Sequence, residues 1–310
     1  MATLRSVSRL RRLQSQRVRA FTALGIRTVV EPTEPGLHIV ATPIGNLGDI
    51  TLRALHILAA ADAILAEDTR VSRRLLSQYE IDTPLISYHE HNAAEMRPHI
   101  LTRLARGQAI AIVSDAGTPL ISDPGYKLVV ECIATGVRVC SLPGPSALLT
   151  ALTTAGLPTD RFFFEGFLPP KSAARRKRAS ALACIPATLV FYEAPNRLGE
   201  MLMDLAAELG PRQAAVLREL TKMFEETRRG SLAELAAYYS ASESPRGEIV
   251  TVVGPPLPVP GISGYVLDKE IEAALQRLSV KDAAAVVAAS AGLSRRDVYT
   301  RALRLARERK

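Results

Sequence analysis

Short apolar runs, each closing on a loop of glycine, proline and small polar residues and each followed by a helix-length segment, restrict this chain's fold more than any other feature. Runs at 37–41, 63–66, 85–88, 109–113 and 137–140 alternate with helical periodicity from about residue 51, over 71–79, over 93–106 and over 124–134. That alternation predicts an α/β domain with a mainly parallel sheet. The uninterrupted run Ala109-Ile110-Ala111-Ile112-Val113 predicts a strand buried on both faces. After Pro158 the pattern shifts to an aromatic strand over 161–167, a basic helix start over 171–178 and further strands at 187–192, 214–218 and 248–253, a second α/β domain. Two prolines and a glycine at 31–36, and four prolines with a glycine at 255–261, break any helix and read as linkers. Residues 268–278 and 281–290 and a segment from Arg295 read as helices, with Gly292 in a short turn and Ser294 as N-cap, a helix-turn-helix organisation. The expected divisions are an Arg-rich, poorly ordered arm over 1–35, α/β domains over 36–155 and 156–258, and a helix-turn-helix tail over 265–310.

Charge sorts these segments. The 310 residues carry a formal +8, yet residues 1–30 hold seven arginines and no acid, so the other 280 sum to only +1. The arm is open to three readings: a nucleic-acid arm, a targeting peptide, or an extension with no selected role. It lacks the apolar core of a secretory signal, and no stretch approaches the roughly 18–20 apolar residues a spanning helix needs. Three cysteines without a CxxC pair argue for a reducing compartment. A soluble, cytoplasmic protein is expected.

In parallel α/β sheets, ligands lie at the carboxyl ends of the strands. Four such loops, at 42–49, 114–125, 143–147 and 193–197, are rich in residues that let backbone approach a ligand closely. None matches a dinucleotide fingerprint or a nucleoside-triphosphate phosphate loop. Ala41-Thr42-Pro43-Ile44-Gly45-Asn46-Leu47-Gly48-Asp49, Glu67-Asp68-Thr69-Arg70, Ser114-Asp115-Ala116-Gly117-Thr118-Pro119-Leu120-Ile121-Ser122-Asp123-Pro124-Gly125, Pro143-Gly144-Pro145-Ser146-Ala147, Phe191-Tyr192-Glu193-Ala194-Pro195-Asn196-Arg197 and Arg218-Glu219-Leu220-Thr221-Lys222 together resemble the tetrapyrrole methylase superfamily over about residues 36–258. The similarity is to the branch that methylates the ribose 2′-hydroxyl of a cytidine in 16S ribosomal RNA.

The resemblance implies two α/β domains with S-adenosylmethionine (SAM) in the cleft between them, a homodimer, and 16S ribosomal RNA of the small subunit or an assembly intermediate as partner. It places Ile44, Ser114, Asp115, Ala116, Ser146, Ala147, Glu193 and Thr221 at the cofactor. Removal of the hydroxyl proton requires a base near the methyl group; Glu67, Asp68, Glu193 and Lys222 are candidates, with Asp68, Arg70 and Lys222 taken as the catalytic set. Asp68 with Arg70 is also open to reading as a strand-end ion pair. His89 and His91 have no third ligand nearby, so no metal is expected. Lys171, Arg175, Arg176, Lys177 and Arg178 place five bases in eight residues, and residues 295–310 hold seven bases against two acids. Lys171, Arg175, Arg176, Arg178, Arg295 and Arg296 are the candidate RNA contacts. The alternative keeps the fold and takes a tetrapyrrole as substrate, which needs neither basic segment.

Overall fold

The computed structural model describes residues 18–256, 264–291 and 293–308, and contacts divide the chain into two units, up to Pro255 and from Pro256 onwards. The expectation of a poorly ordered arm over 1–35 is corrected for its second half; residues 1–17 lie outside the described residues. Strands β1 (Ala20–Ala23) and β2 (Ile26–Val29) form an antiparallel hairpin. Leu24 and Gly25, with φ of 52° and 75°, make the tight left-handed turn that matches hairpin twist. The hairpin is anchored because Phe21 and Val30 are buried, the Thr22 amide donates to the Tyr79 carbonyl, and Arg19 reaches both the Ala60 carbonyl and Asp62. An arginine that finds a carboxylate and a helix-end carbonyl ceases to be a free charge.

Strands β3 (Gly36–Val40), β4 (Ala63–Ala66), β5 (Leu85–Ser87), β6 (Ala109–Val113) and β7 (Val139–Leu142) form a wholly parallel sheet in the order β5-β4-β6-β3-β7. Every residue of β3, β4 and β6 is buried. Alternation sends Leu37, Ile39, Leu65, Ile110 and Ile112 to one face, against helices α3 (Ala93–Ala105) and α4 (Tyr126–Ala134). It sends Val40, Ile64, Ala66, Ala111 and Val113 to the other, against α1 (Leu52–Ala60) and α2 (Thr69–Gln78). The chain therefore leaves neighbouring strands β3 and β6 towards opposite faces, and the crevice at their carboxyl ends is a topological switch point.

The second sheet, β11-β10-β12-β9-β8, is mixed. Only β8 (Phe162–Phe167) and β9 (Thr188–Glu193) pair parallel; β10 (Gln213–Arg218), β11 (Glu226–Ser231) and β12 (Ile249–Val253) are antiparallel to their neighbours. Strand β11 has no counterpart in the sequence reading, because Glu-Thr-Arg-Arg-Gly-Ser is a solvent-facing edge with no apolar alternation. One face of this sheet packs on α6 (Ser172–Leu182), α7 (Leu198–Leu209) and α8 (Leu232–Ala241). The other, through Val190, Ala215, Leu217, Val250 and Val252, packs on Ala151 and Leu152 of α5 (Ala147–Thr154) and on Ile44. That shared core joins the two sheets into one unit.

The second unit comprises α9 (Gly264–Leu275), α10 (Val280–Ala291) and α11 (Arg295–Glu308), packed through Leu267, Ile271, Ala284, Val287, Ala288, Val298, Ala302 and Leu305. Arg301 of α11 grips Asp268 of α9 with two hydrogen bonds, of 2.6 and 3.0 Å. The Ser294 carbonyl accepts the Asp297 and Val298 amides at the head of α11; Gly292 and residues 257–263 of the expected linker lie outside the described residues.

Helix α6 is held to α7 by Arg175, whose side chain is 1% exposed. Its Nε donates to Asp204 (2.6 Å), Nη1 to the Pro170 carbonyl (3.1 Å) and Nη2 to Glu200 (3.2 Å). Removing one member of a buried pair strands the other charge, so Arg175→Ala is expected to cost about 3–5 kcal/mol in chemical denaturation. Arg176→Ala, which removes an exposed partner of Glu208, is expected to cost less than about 1 kcal/mol.

Candidate active site

The loops after β3, β6 and β7 converge at the switch point. Thr42 and Gly117 exchange both backbone hydrogen bonds (2.9 and 3.0 Å), and the Thr118 hydroxyl donates to the Pro145 carbonyl (3.0 Å). Gly117 has φ of 78°, and a Cβ there would stand 3.2 Å from Ile44 Cγ2, so glycine allows Ile44 to lie against the loop. A cavity of about 450 Å³ opens above these loops, within the range of small-molecule sites. The second sheet supplies its other wall, through Phe167, Tyr192, Glu193, Pro195, Leu220 and Glu248.

Of the eight residues expected at a cofactor, Ile44, Asp115, Ala116, Ser146, Ala147 and Glu193 line this cavity. Ser146 also caps α5, its hydroxyl accepting the Leu149 amide at 3.5 Å. Asp115 does not cap a helix; its Oδ1 accepts the Asp68 amide at 3.0 Å. The two others support the loops. Ser114 is buried and its hydroxyl donates to the Ala116 carbonyl at 3.2 Å. Thr221 has φ of 67°, and its amide donates to Glu225 Oε2 at 2.7 Å. Left-handed backbone also occurs at Leu120, Ser122 and Glu219, so strain gathers in the two loops that flank the cavity.

Glu193 is the most enclosed acid of the cavity, 3% exposed. Burial pushes its carboxyl above the ordinary carboxylate range, against the pull of the Ala194 amide and of Arg197. Oε1 accepts the Ala194 amide at 2.7 Å and Oε2 lies 3.3 Å from Arg197, without hydrogen-bond geometry.

The residues expected as the catalytic set stand outside the cavity lining. None of Asp68, Arg70 and Lys222 lines the cavity. Asp68 caps α2 by accepting the Arg70 amide (2.8 Å) and pairs with the Arg70 guanidinium (2.7 Å). These contacts with Arg70 hold its carboxyl down at about 2, which makes it a poor proton acceptor. Lys222 is partly desolvated, yet its ion pairs with Glu219 (2.8 Å) and Glu248 (3.2 Å) raise its ammonium above the usual value. It is a charged strut: its stem lies where a Cβ on Gly45 would sit, 2.4 Å from Cγ, and so clamps the 42–49 loop.

The expected RNA contacts divide. Arg175 is withdrawn into the fold, Arg176 pairs with Glu208 (2.8 Å) and Arg178 with Glu165 (2.6 Å). Five adjacent bases look like a phosphate-binding surface in sequence, but acids on α7 and β8 neutralise three of them. Lys171, at the head of α6, is exposed. In the second unit Arg295 and Arg296 are exposed, beside Tyr299, which is 40% exposed. Asp123, Glu248, Phe167 and Tyr192 line the cavity without having been expected there. Asp123 lies inside the 114–125 loop and Tyr192 adjoins Glu193, whereas Phe167 ends β8 and Glu248 precedes β12. His89 and His91 meet ring to ring, centroids 5.9 Å apart, and no group of three or more metal-ligating side chains occurs among the described residues. No helix among them is long and apolar enough to cross a membrane.

Comparison with known proteins agrees with this geometry. The family model of tetrapyrrole (corrin/porphyrin) methylases matches residues 36–236, and that of the RsmI C-terminal HTH domain matches residues 267–306. A relative from Mesorhizobium japonicum, named ribosomal RNA small subunit methyltransferase I, is 57% identical over 72% of this chain and 76% of its own length. A relative of the same name from Pseudomonas aeruginosa is 47% identical over 86% of this chain and 96% of its own. Among solved structures, uroporphyrin-III-C-methyltransferase from Thermus thermophilus superposes with a TM-score of 0.52 at 22% identity, covering 74% of this chain and 97% of that one, a likeness of fold. By these matches the chain belongs to the tetrapyrrole methylase family, among the proteins named ribosomal RNA small subunit methyltransferase I.

Proposed function

We propose that this protein is a SAM-dependent methyltransferase that methylates the ribose 2′-hydroxyl of a cytidine in 16S ribosomal RNA, in the small subunit or an assembly intermediate, in the cytoplasm. The observation that carries the reading is one cavity at the switch point in which six residues picked from separate sequence motifs meet. Its chemistry suits the cofactor. Apolar Ile44, Ala116, Ala147 and Leu220 offer a bed for an adenosine, and Asp115 and Glu193 give a cationic sulfonium and ammonium a negative surround. When bound, SAM supplies a methyl group whose leaving group is a neutral thioether. The chain's part is to hold acceptor and donor in line and exclude water, which is where most of the acceleration in such a displacement arises. Backbone groups of the 114–118 and 145–147 loops, fixed by the Thr42–Gly117 and Thr118–Pro145 bonds, are suited to that positioning.

The RNA part of the reading rests on the relatives' name and on α11. Arg295 and Arg296 with the Tyr299 ring offer phosphate neutralisation and base stacking on one helix, for which a tetrapyrrole substrate has no use. Lys171 is a further contact, with Arg176 and Arg178 available only by exchange of their acidic partners. A homodimer is part of the same reading; Tyr126, Val130 and Ile133, at helical spacing on α4 and 72%, 45% and 65% exposed, offer an apolar stripe for a second copy.

Three measurements test this. Purified protein with methyl-labelled SAM is expected to label 16S RNA of 30S particles at a cytidine 2′-oxygen, and no label in any assembly state would overturn the reading. Asp115→Ala is expected to weaken SAM binding in calorimetry roughly 10- to 100-fold, the value of a hydrogen bond to a charged group. Arg295→Glu with Arg296→Glu is expected to lower RNA affinity and flatten its log–log salt dependence by between about 1 and 2, at unchanged SAM affinity.

A further inference from the structure

Four carboxylates line the cavity, and their partners sort them. Glu193 is sealed against Arg197 and the Ala194 amide. Glu248 is neutralised by Lys222 at 3.2 Å. Asp115 is committed to the Asp68 amide at 3.0 Å. Asp123 differs: among the described residues it forms no ion pair and receives no backbone amide. It is partly buried, and follows a loop whose Leu120 and Ser122 are held at φ of 76° and 66°. The groups that face it are the Ser114 hydroxyl and Asp115 from the end of β6, Glu67 from the end of β4, and Tyr192 from the second sheet. Behind Glu67 stands His89, and beside Asp115 stands Arg70. Asp123 is thus the cavity acid surrounded by other acids and a hydroxyl, where a bound proton is welcome.

Resting on the methyl-transfer reading above, we propose that Asp123 is the catalytic base that takes the proton from the ribose 2′-hydroxyl, with Glu67 and Asp115 as positioning residues that set its proton affinity. The new O–C bond forms as the C–S bond breaks, and the C–S electron pair leaves with sulfur as the thioether. The hydroxyl proton passes to an Asp123 carboxylate oxygen and then to water once product departs. Burial, followed by the negative charges of Glu67 and Asp115, lifts the Asp123 carboxyl to about 6, with Ser114 opposing. A base in that range is ionised at neutral pH and still a useful acceptor, whereas Asp68 at about 2 is not.

The test uses the full chain. Wild-type methyl transfer to 30S particles, measured at saturating substrates, is expected to rise with pH through about 6 and then level. Asp123→Asn is expected to lose roughly 100- to 10,000-fold in kcat together with that acidic limb, with SAM affinity by calorimetry within about twofold of wild type. Asp123→Glu is expected to restore part of the rate, and Glu67→Gln to move the limb to lower pH. A readout without turnover accompanies these: the carboxyl infrared band present in wild type and absent in Asp123→Asn is expected to titrate near pH 6. Because the folded carboxyl sits above its unfolded value, its ionisation costs stability as pH rises from about 4 through 6. Asp123→Asn is therefore expected to melt no lower than wild type at pH 8. An intact acidic limb in Asp123→Asn, or a carboxyl titrating near 4, would overturn the assignment while leaving methyl transfer by the wild type untouched. A wild type that transfers no methyl group would instead remove the reading on which it rests.

Discussion

Everything at this site hangs on a short piece of backbone pairing. Thr42 follows β3 and Gly117 lies just past β6, and the two exchange hydrogen bonds beyond the end of the parallel ladder. Strands β3 and β6 are buried on both faces, so the amides and carbonyls of the loops that leave them need partners other than water. The Thr42–Gly117 pair supplies two, and it fixes the loops at the place where crossovers depart to opposite faces of the sheet. Ile44 is packed against Gly117, the Thr118 hydroxyl reaches the third loop, and Asp115 is turned to the Asp68 amide. A loosened pair would free Ile44 from one wall of the cavity and Ala116 from another.

The second sheet completes the cavity by a different device. Its inner face is apolar and shares a core with α5, which brings Tyr192, Glu193 and Leu220 over the first sheet. At the rim the aliphatic stem of Lys222 lies against Gly45, while its ammonium pairs with Glu219 and Glu248 of its own half. The two contributions differ in kind. Burial of apolar area supplies most of the cohesion, whereas the lysine sets where the rim of one half meets the loop of the other.

Several charges that the sequence offers to a partner are paired within the protein. Arg175, Arg176 and Arg178 are locked to Asp204, Glu200, Glu208 and Glu165, and Arg19 to Asp62. Arg301 is bound to Asp268 within the tail. What remains exposed for an anionic partner is smaller than the composition suggests, and on the tail it includes Arg295 and Arg296 in the leading turn of α11.

The parallel sheet, the elements that cross it and the glycine-rich loops were legible in the order of residues, because buried strands must be apolar and tight loops must contain residues that tolerate them. Ile44, Asp115, Ala116, Ser146, Ala147 and Glu193, which the resemblance rather than periodicity placed at a cofactor, line one cavity. Strand β11 was not legible, because an edge strand has no buried face to mark it, and neither was the 20–29 hairpin, whose apolar residues are few. The roles of charged side chains lay beyond the sequence altogether. Whether Arg175 meets solvent or Asp204, whether Lys222 is a base or a strut, and whether Asp123 is paired or left among acids depend on where other elements and loops lie in space. Sequence determined the α/β architecture and the loops that meet at the switch point, by local periodicity and turn chemistry. Tertiary structure alone decided which charges remain free, because electrostatic partnership is set by distance and burial in space.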